Sequence, residues 1–150
     1  MISGIRILIL LGMFSFVLIS CNKENNELAQ TIEINNNIIV STPDGFILEP
    51  LIGTDSYVAR IVNPSDSSFL IFIDIGQLAG LYVDPDESGA QSGRSVTAQF
   101  VYNIQEREYL AGDDCCIFIT FPDLGPANFV SYDNQHIDLV LDIMRTLRTP

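Results

Sequence analysis

The chain has 150 residues, enough for one ordinary domain, and 47% of them are hydrophobic. Nineteen acidic residues against seven basic ones give a formal net charge of −12 at pH 7. Such an excess repels phosphate backbones and anionic lipid headgroups, which argues against nucleic-acid binding and against electrostatic adsorption to a membrane.

Residues 1 to 20 form an apolar run with a single charge, Arg6. The uncharged stretch from Ile7 to Ser20 is shorter than the roughly 20 apolar residues that a membrane-spanning helix needs, and the basic residue lies on its N-terminal side. The pattern is typical of an export signal, with a permanent transmembrane anchor as the alternative.

The run ends in Leu18-Ile19-Ser20-Cys21, and polar sequence begins at once. This tetrapeptide resembles the lipobox of bacterial lipoproteins. The resemblance implies that the signal 1–20 is removed, that Cys21 receives a diacylglycerol on its sulfur, and that the new amino terminus is acylated too. We therefore predict a lipid-anchored protein of the bacterial cell envelope, in the outer membrane in preference to the inner; the alternative is an accidental cysteine beside a plain signal.

Removal of Arg6 with the signal leaves six basic side chains against 19 acidic ones, a formal charge of −13. Lipid, and not charge, is then what holds the protein at its membrane: each buried methylene contributes about 0.8 kcal/mol, and two or three acyl chains make the anchoring persistent. Residues 21–30 are polar and predict a flexible tether, followed by one domain over residues 31–150.

Short apolar segments rich in β-branched and aromatic residues, separated by turn residues, predict mostly strands in this domain. A hairpin is indicated over residues 31–40, with its turn at Asn35 to Asn37, and a tight turn over residues 42–46. The clearest hairpin joins residues 57–62 to 68–76. Its second strand is apolar on both faces except at Asp74, which predicts a central strand covered on both sides.

Further along, residues 84–93 predict an acidic loop, residues 96–104 a strand whose polar extension 105–108 reaches solvent, and residues 115–121 another buried strand. The last element has a helical period between His136 and Arg148, carried by five apolar positions: Ile137, Val140, Leu141, Met144 and Leu147. Asp133 or Asn134 is available as its N-cap. Strands followed by one amphipathic helix predict an α+β domain, an antiparallel sheet with the C-terminal helix packed on it.

Three of these segments together resemble the Mog1/PsbP-type α/β/α sandwich: the turn "TPDGF", the hairpin "YVARIVNPSDSSFLIFIDIG" and the closing "HIDLVLDIMRTLR". Pro43, Gly45 and Phe46 match the Pro-x-Gly-aromatic turn that members often carry. The resemblance covers most of residues 38 to 148 as a pattern. It implies a non-catalytic adaptor or assembly factor, and it offers no catalytic motif to carry over.

Few side chains suggest chemistry. His136 lies near Ser131 and Asp133, but a serine-type triad is normally assembled from separate segments, and these residues suit a helix start. Cys115 and Cys116 are adjacent, so their side chains would point to opposite faces of a strand; we expect one buried thiol, with a vicinal or intermolecular disulfide as the alternative. Arg60 and Asp74, each polar within an apolar strand of one hairpin, are candidate cross-strand partners.

Asp84, Asp86 and Glu87 are the weak candidates for a metal site, because calcium accepts carboxylate oxygens, although the spacing of an EF-hand is absent. A solvated acidic loop is the competing interpretation. The leading hypothesis is a non-enzymatic protein, without cofactor, that acts through contacts with another envelope protein. The alternatives are a cation- or small-ligand-binding module using the loop 84–93, and a hydrolase using scattered carboxylates.

Overall fold

The computed structural model describes residues 27–76, 83–104, 116–125, 127–132 and 134–150. The predicted signal, Cys21, most of the tether, the polar stretch 105–108 and Cys115 lie outside these ranges. In chain order the elements are strands β1 (Gln30–Ile34), β2 (Ile38–Thr42), β3 (Ile47–Leu51), β4 (Ser56–Asn63), β5 (Asp66–Gly76), β6 (Gln91–Arg94), β7 (Gln99–Ile104), β8 (Ile117–Phe121) and β9 (Ala127–Ser131), and helix α1 (Ile137–Arg145).

The predicted N-terminal hairpin is present as β1 and β2, which pair with each other as a separate two-stranded sheet. Its turn begins after Ile34, which lies opposite Ile38. Asn35 and Asn36 have φ angles of 50° and 55°, in the left-handed region that asparagine enters more readily than most residues. The asparagine run therefore fixes the position of this turn.

The other seven strands form one antiparallel sheet in the order β3-β4-β5-β9-β8-β7-β6. The predicted hairpin of β4 and β5 is confirmed, and β5 lies inside the sheet between β4 and β9. The sequence patterns did not indicate β3, β6 or β9. Strand β6 occupies the end of the predicted acidic loop, so that loop is shorter than predicted.

One face of this sheet, the inner face, packs against the hairpin and α1 to form the main core. Hairpin residues such as Ile34 and Val40, and helix residues such as Ile143 and Met144, are fully buried there. The sheet contributes alternate residues of its strands, among them Ala59, Ile61, Phe69, Ile71, Ile73, Phe100, Ile119, Phe121 and Phe129. Burying each large side chain contributes about 1.5–3 kcal/mol, which makes this layer contact the main source of stability.

The helical period near the C-terminus is confirmed by α1 and the residues after it. Val140, Leu141 and Met144 are buried, and so is Leu147 just beyond the helix. The predicted N-cap is wrong: the cap residue is His136, which makes no side-chain capping hydrogen bond. Residues 134–136 form a short 3-10 turn first, so the α-helix begins later than the cap signal indicated.

The described residues are thus mostly antiparallel sheet with a helix at the C-terminal end, which agrees with the predicted α+β class. None of the helices in the described part of the chain combines the length and apolar composition needed to cross a membrane.

Candidate functional site

The face of the large sheet opposite the core, here called the outer face, is covered unevenly. Toward β7, β8 and β9 it carries a second buried cluster made of Val83, Val101, Cys116, Phe118 and Val130. Toward β3, β4 and β5 its side chains remain accessible, and Ile47 is 44% exposed. The accessible half is where a partner or ligand could touch the sheet.

This half contains a groove of about 330 Å³, here called the outer-face groove. Strand register explains its composition: Ile47 lies opposite Val62, and Glu49 lies opposite Arg60, so these side chains share one face. The register shifts between Val62 and Asn63, and such a bulge bends a strand. The groove is lined by Ile47, Glu49, Arg60, Val62, Asn63, Pro64, Ser67, Phe69 and Leu70.

An ion pair lies within the groove. Arg60 Nε donates a hydrogen bond to Glu49 Oε2 at 2.6 Å, and the two side chains are 45% and 37% exposed. An ion pair this accessible to water contributes about 0–1 kcal/mol to stability. The stability of the fold therefore depends little on this ion pair. The remaining donors of Arg60 and acceptors of Glu49 can interact with another molecule.

The predicted pairing of Arg60 with Asp74 is wrong. On β5, Phe72 lies opposite Arg60, whereas Asp74 lies opposite Val58. Arg60 and Asp74 are therefore two positions apart along the hairpin. Arg60 is paired instead with the carboxylate of Glu49 on β3.

Asp74 belongs to a second feature of the outer face, here called the polar seam, formed with Asn128 and Thr120. Each residue lies directly opposite the next across neighbouring strands. The Thr120 hydroxyl donates to Asn128 Oδ1 at 2.8 Å and accepts from the Val83 amide at 2.9 Å. Asn128 Nδ2 and Asp74 Oδ1 are buried atoms that make no hydrogen bond to any residue the structure describes.

The groove and the seam are the two features of the outer face that sequence reasoning missed. No protein-family model, curated protein or solved structure matches this chain. The geometry of these residues and the sequence features at the N-terminus are what indicate a function.

Asp84, Asp86 and Glu87, the weak candidates for a metal site, lie in a turn. Asp84 Oδ1 accepts a hydrogen bond from the Asp86 amide at 2.9 Å, and the Glu87 amide donates to the Asp84 carbonyl oxygen at 3.0 Å. All three side chains are exposed. Across the ranges the structure describes, no three histidine, cysteine or acidic side chains converge as metal ligands would.

Cys116 is fully buried and disulfide-bonded. This corrects the expectation of a buried free thiol. The other half of the disulfide lies outside the described residues. The sulfur is thus part of the outer-face cluster and is not an exposed nucleophile.

His136 packs against the β4–β5 turn. Its Nε2 is 3.4 Å from Asp66 Oδ2, and its ring meets the Phe69 ring edge-on at 5.6 Å between centroids. The side-chain hydroxyl and then the amide of Ser68, with a smaller contribution from His136, hold the pKa of Asp66 below its ordinary value. Of the other two residues considered for a triad, Ser131 is fully buried in β9 and Asp133 lies outside the described residues.

Proposed function

We propose that this protein is a non-catalytic lipoprotein of the bacterial envelope, anchored through Cys21, whose domain works by binding another envelope protein at the outer-face groove. The sequence Leu18 to Cys21 behind an export signal supports the anchor. The charge of −13 on residues 21–150 supports it as well, because such a domain has no electrostatic attraction to an anionic membrane.

The groove is the observation that carries the contact function. Ile47 is a large apolar side chain that is 44% exposed on strand β3, beside an ion pair that contributes little to stability. Apolar side chains that flank accessible charged groups are the usual composition of a protein contact surface, where the apolar part supplies affinity and the charges supply specificity.

We further propose that the domain is a Mog1/PsbP-type sandwich. The turn before β3 supports this, because Gly45 has a φ of 88° and Phe46 is buried in the core. The hairpin β4–β5 and the closing helix α1 fit the same pattern. Because the members of that family are non-catalytic adaptors or assembly factors, this resemblance favours a binding function.

Fractionation of cells that express Cys21→Ala tests the anchor. We expect the variant domain in the soluble fraction and the wild type in the membrane fraction, with a fatty-acid label incorporated only by the wild type. Lys23→Ala is the matched control, since it alters the same tether but leaves the sulfur, and it should stay in the membrane. Retention of Cys21→Ala in the membrane would contradict the proposal.

A further inference from the structure

We infer that the outer-face groove receives a short segment of mixed basic and apolar residues, supplied by a protein of the membrane in which this chain is anchored. The inference deepens the proposed function and rests on it. It follows from three properties of the groove: its lining, the charge around it and its distance from the lipid anchor.

The lining selects apolar side chains with a cation among them. Ile47, Val62 and Leu70 lie opposite one another on three neighbouring strands and form an apolar row, and Glu49 and Arg60 lie in the next row of the same face. The Arg60 guanidinium occupies one oxygen of Glu49, and a carboxylate has further acceptor positions to offer a lysine or arginine. Leucine-like side chains on the same segment would cover the exposed part of Ile47.

The charge around the groove excludes two other occupants. The lining itself holds one acid and one base, Glu49 and Arg60, so an approaching molecule meets the field of the whole domain, whose formal charge is −13. A second copy of this chain would bring another −13 and would be repelled, and so would an anionic lipid surface. A basic segment is attracted by the same field.

The tether places the groove near the membrane. Gln30 is fastened to the turn before Ile47: its Nε2 donates to the Phe46 carbonyl oxygen at 2.7 Å, and its Oε1 accepts from the Gly45 amide at 2.9 Å. Gln30 lies nine positions after Cys21, and nine residue-to-residue steps of a fully extended chain span about 30 Å. The Ile47 end of the groove therefore stays within about that distance of the lipid, where segments flanking membrane anchors of other proteins are found.

The test uses a defined probe, a fluorescent hexapeptide of alternating leucine and lysine, with the leucine–glutamate hexapeptide as its comparison. The protein is the full mature lipidated chain in phosphatidylcholine nanodiscs. Ile47→Ser and Glu49→Gln should each weaken binding of the lysine peptide by about fivefold, which corresponds to about 1 kcal/mol. The glutamate peptide should not bind.

Two control variants match these changes at a distance from the groove. Ile104→Ser removes an apolar side chain that is also 44% exposed, and Asp142→Asn removes a carboxylate that is likewise paired with an arginine. Both should leave the affinity within about twofold of wild type. No binding by the wild type, or equal weakening by the groove and control variants, would overturn the inference.

The origin of the segment needs a second measurement, cross-linking in native membranes from a photoreactive residue at position 47 or, as control, at position 104. We expect position 47 to give adducts with integral membrane proteins, and adducts only with soluble proteins would overturn the membrane part of the inference. Peptide binding repeated on Cys21→Ala separates the two proposals, because the groove should bind whether or not the chain is lipidated.

Discussion

The backbone of Arg148 pairs with that of Ile39, so the end of the chain is bonded to the N-terminal hairpin. The Ile39 amide donates to the Arg148 carbonyl oxygen at 2.8 Å, and the Arg148 amide donates to the Ile39 carbonyl oxygen at 2.9 Å. This bridge joins the segment after α1 to β2 on the core side of the sheet. The hairpin of β1 and β2 is therefore joined directly to the segment that follows α1.

Loss of one donor in this bridge should destabilise the domain. Arg148→Pro removes the amide hydrogen and leaves the Ile39 carbonyl oxygen without it, so we expect the free energy of unfolding to fall by about 1–3 kcal/mol in urea titrations. Arg148→Ala keeps the amide and serves as the control, with a change below about 0.5 kcal/mol. Equal effects of the two substitutions would show that the bridge contributes nothing.

The contact between Gly93 and Phe100 gives a second prediction. These residues lie opposite each other on β6 and β7, and a Cβ at position 93 would lie 2.2 Å from the Phe100 ring. Gly93→Ala should therefore displace a fully buried ring and lower the free energy of unfolding by about 1–3 kcal/mol. Ser92→Ala, on the neighbouring exposed position, should be close to neutral, and a neutral Gly93→Ala would contradict the packing described here.

The carboxylate of Asp66 should link stability to pH. Because its pKa is lowered in the folded state, its ionised form stabilises the domain above the ordinary pKa of 3.8, and this contribution is lost as the pH falls through the lowered folded value. Ser68→Ala removes the largest cause, the hydrogen bond from the Ser68 hydroxyl to Asp66 Oδ1, and keeps the bond from the Ser68 amide. We expect the stability difference between wild type and Ser68→Ala to be constant near neutral pH and to shrink below about pH 4. A difference that grows on acidification would contradict this assignment.

The buried carboxylate of Asp74 in the polar seam should lower the stability of the fold, whereas Asn128 should raise it. Asp74 Oδ1 is buried without a hydrogen bond to any described residue, and Asp74 lies between Val58 and Asn128 of the two neighbouring strands, so Asp74→Val should raise the free energy of unfolding by about 1 kcal/mol. Asn128→Leu should lower it by about 1–3 kcal/mol, since it takes the acceptor from the Thr120 hydroxyl. A destabilised Asp74→Val would mean that this carboxylate has a stabilising role not visible in its contacts.

Local signals were sufficient for those parts of the fold that depend on neighbours in sequence. The asparagine run fixed one turn, the glycine at 45 fixed another, and the spacing of Val140, Leu141 and Met144 indicated the helix. Strand β3 was missed because Pro50 lies within it, and a proline inside a short run argues against a strand. In the structure this strand lies at the edge of the sheet, where proline is tolerated. Strand β9 was missed because only Phe129 and Val130 of its five residues are of the aromatic or β-branched type that indicates a strand, whereas all five residues of the equally short and equally buried β8 are.

The groove could not be predicted because it depends on register. The β3–β4 register places Glu49 opposite Arg60, and the β4–β5 register places Asp74 two residues away from that position. The polar seam likewise needs β9 to lie beside β5, a contact between segments more than 50 residues apart. No local pattern encodes such a neighbour.

The central claim is that the sulfur of Cys21 carries the lipid that holds this acidic domain at its membrane. Mass spectrometry of the amino-terminal peptide from the native membrane protein tests it most directly. The account predicts a chain that begins at Cys21 and carries the added mass of two or three acyl chains. A chain that begins elsewhere, or an unmodified Cys21, would contradict it.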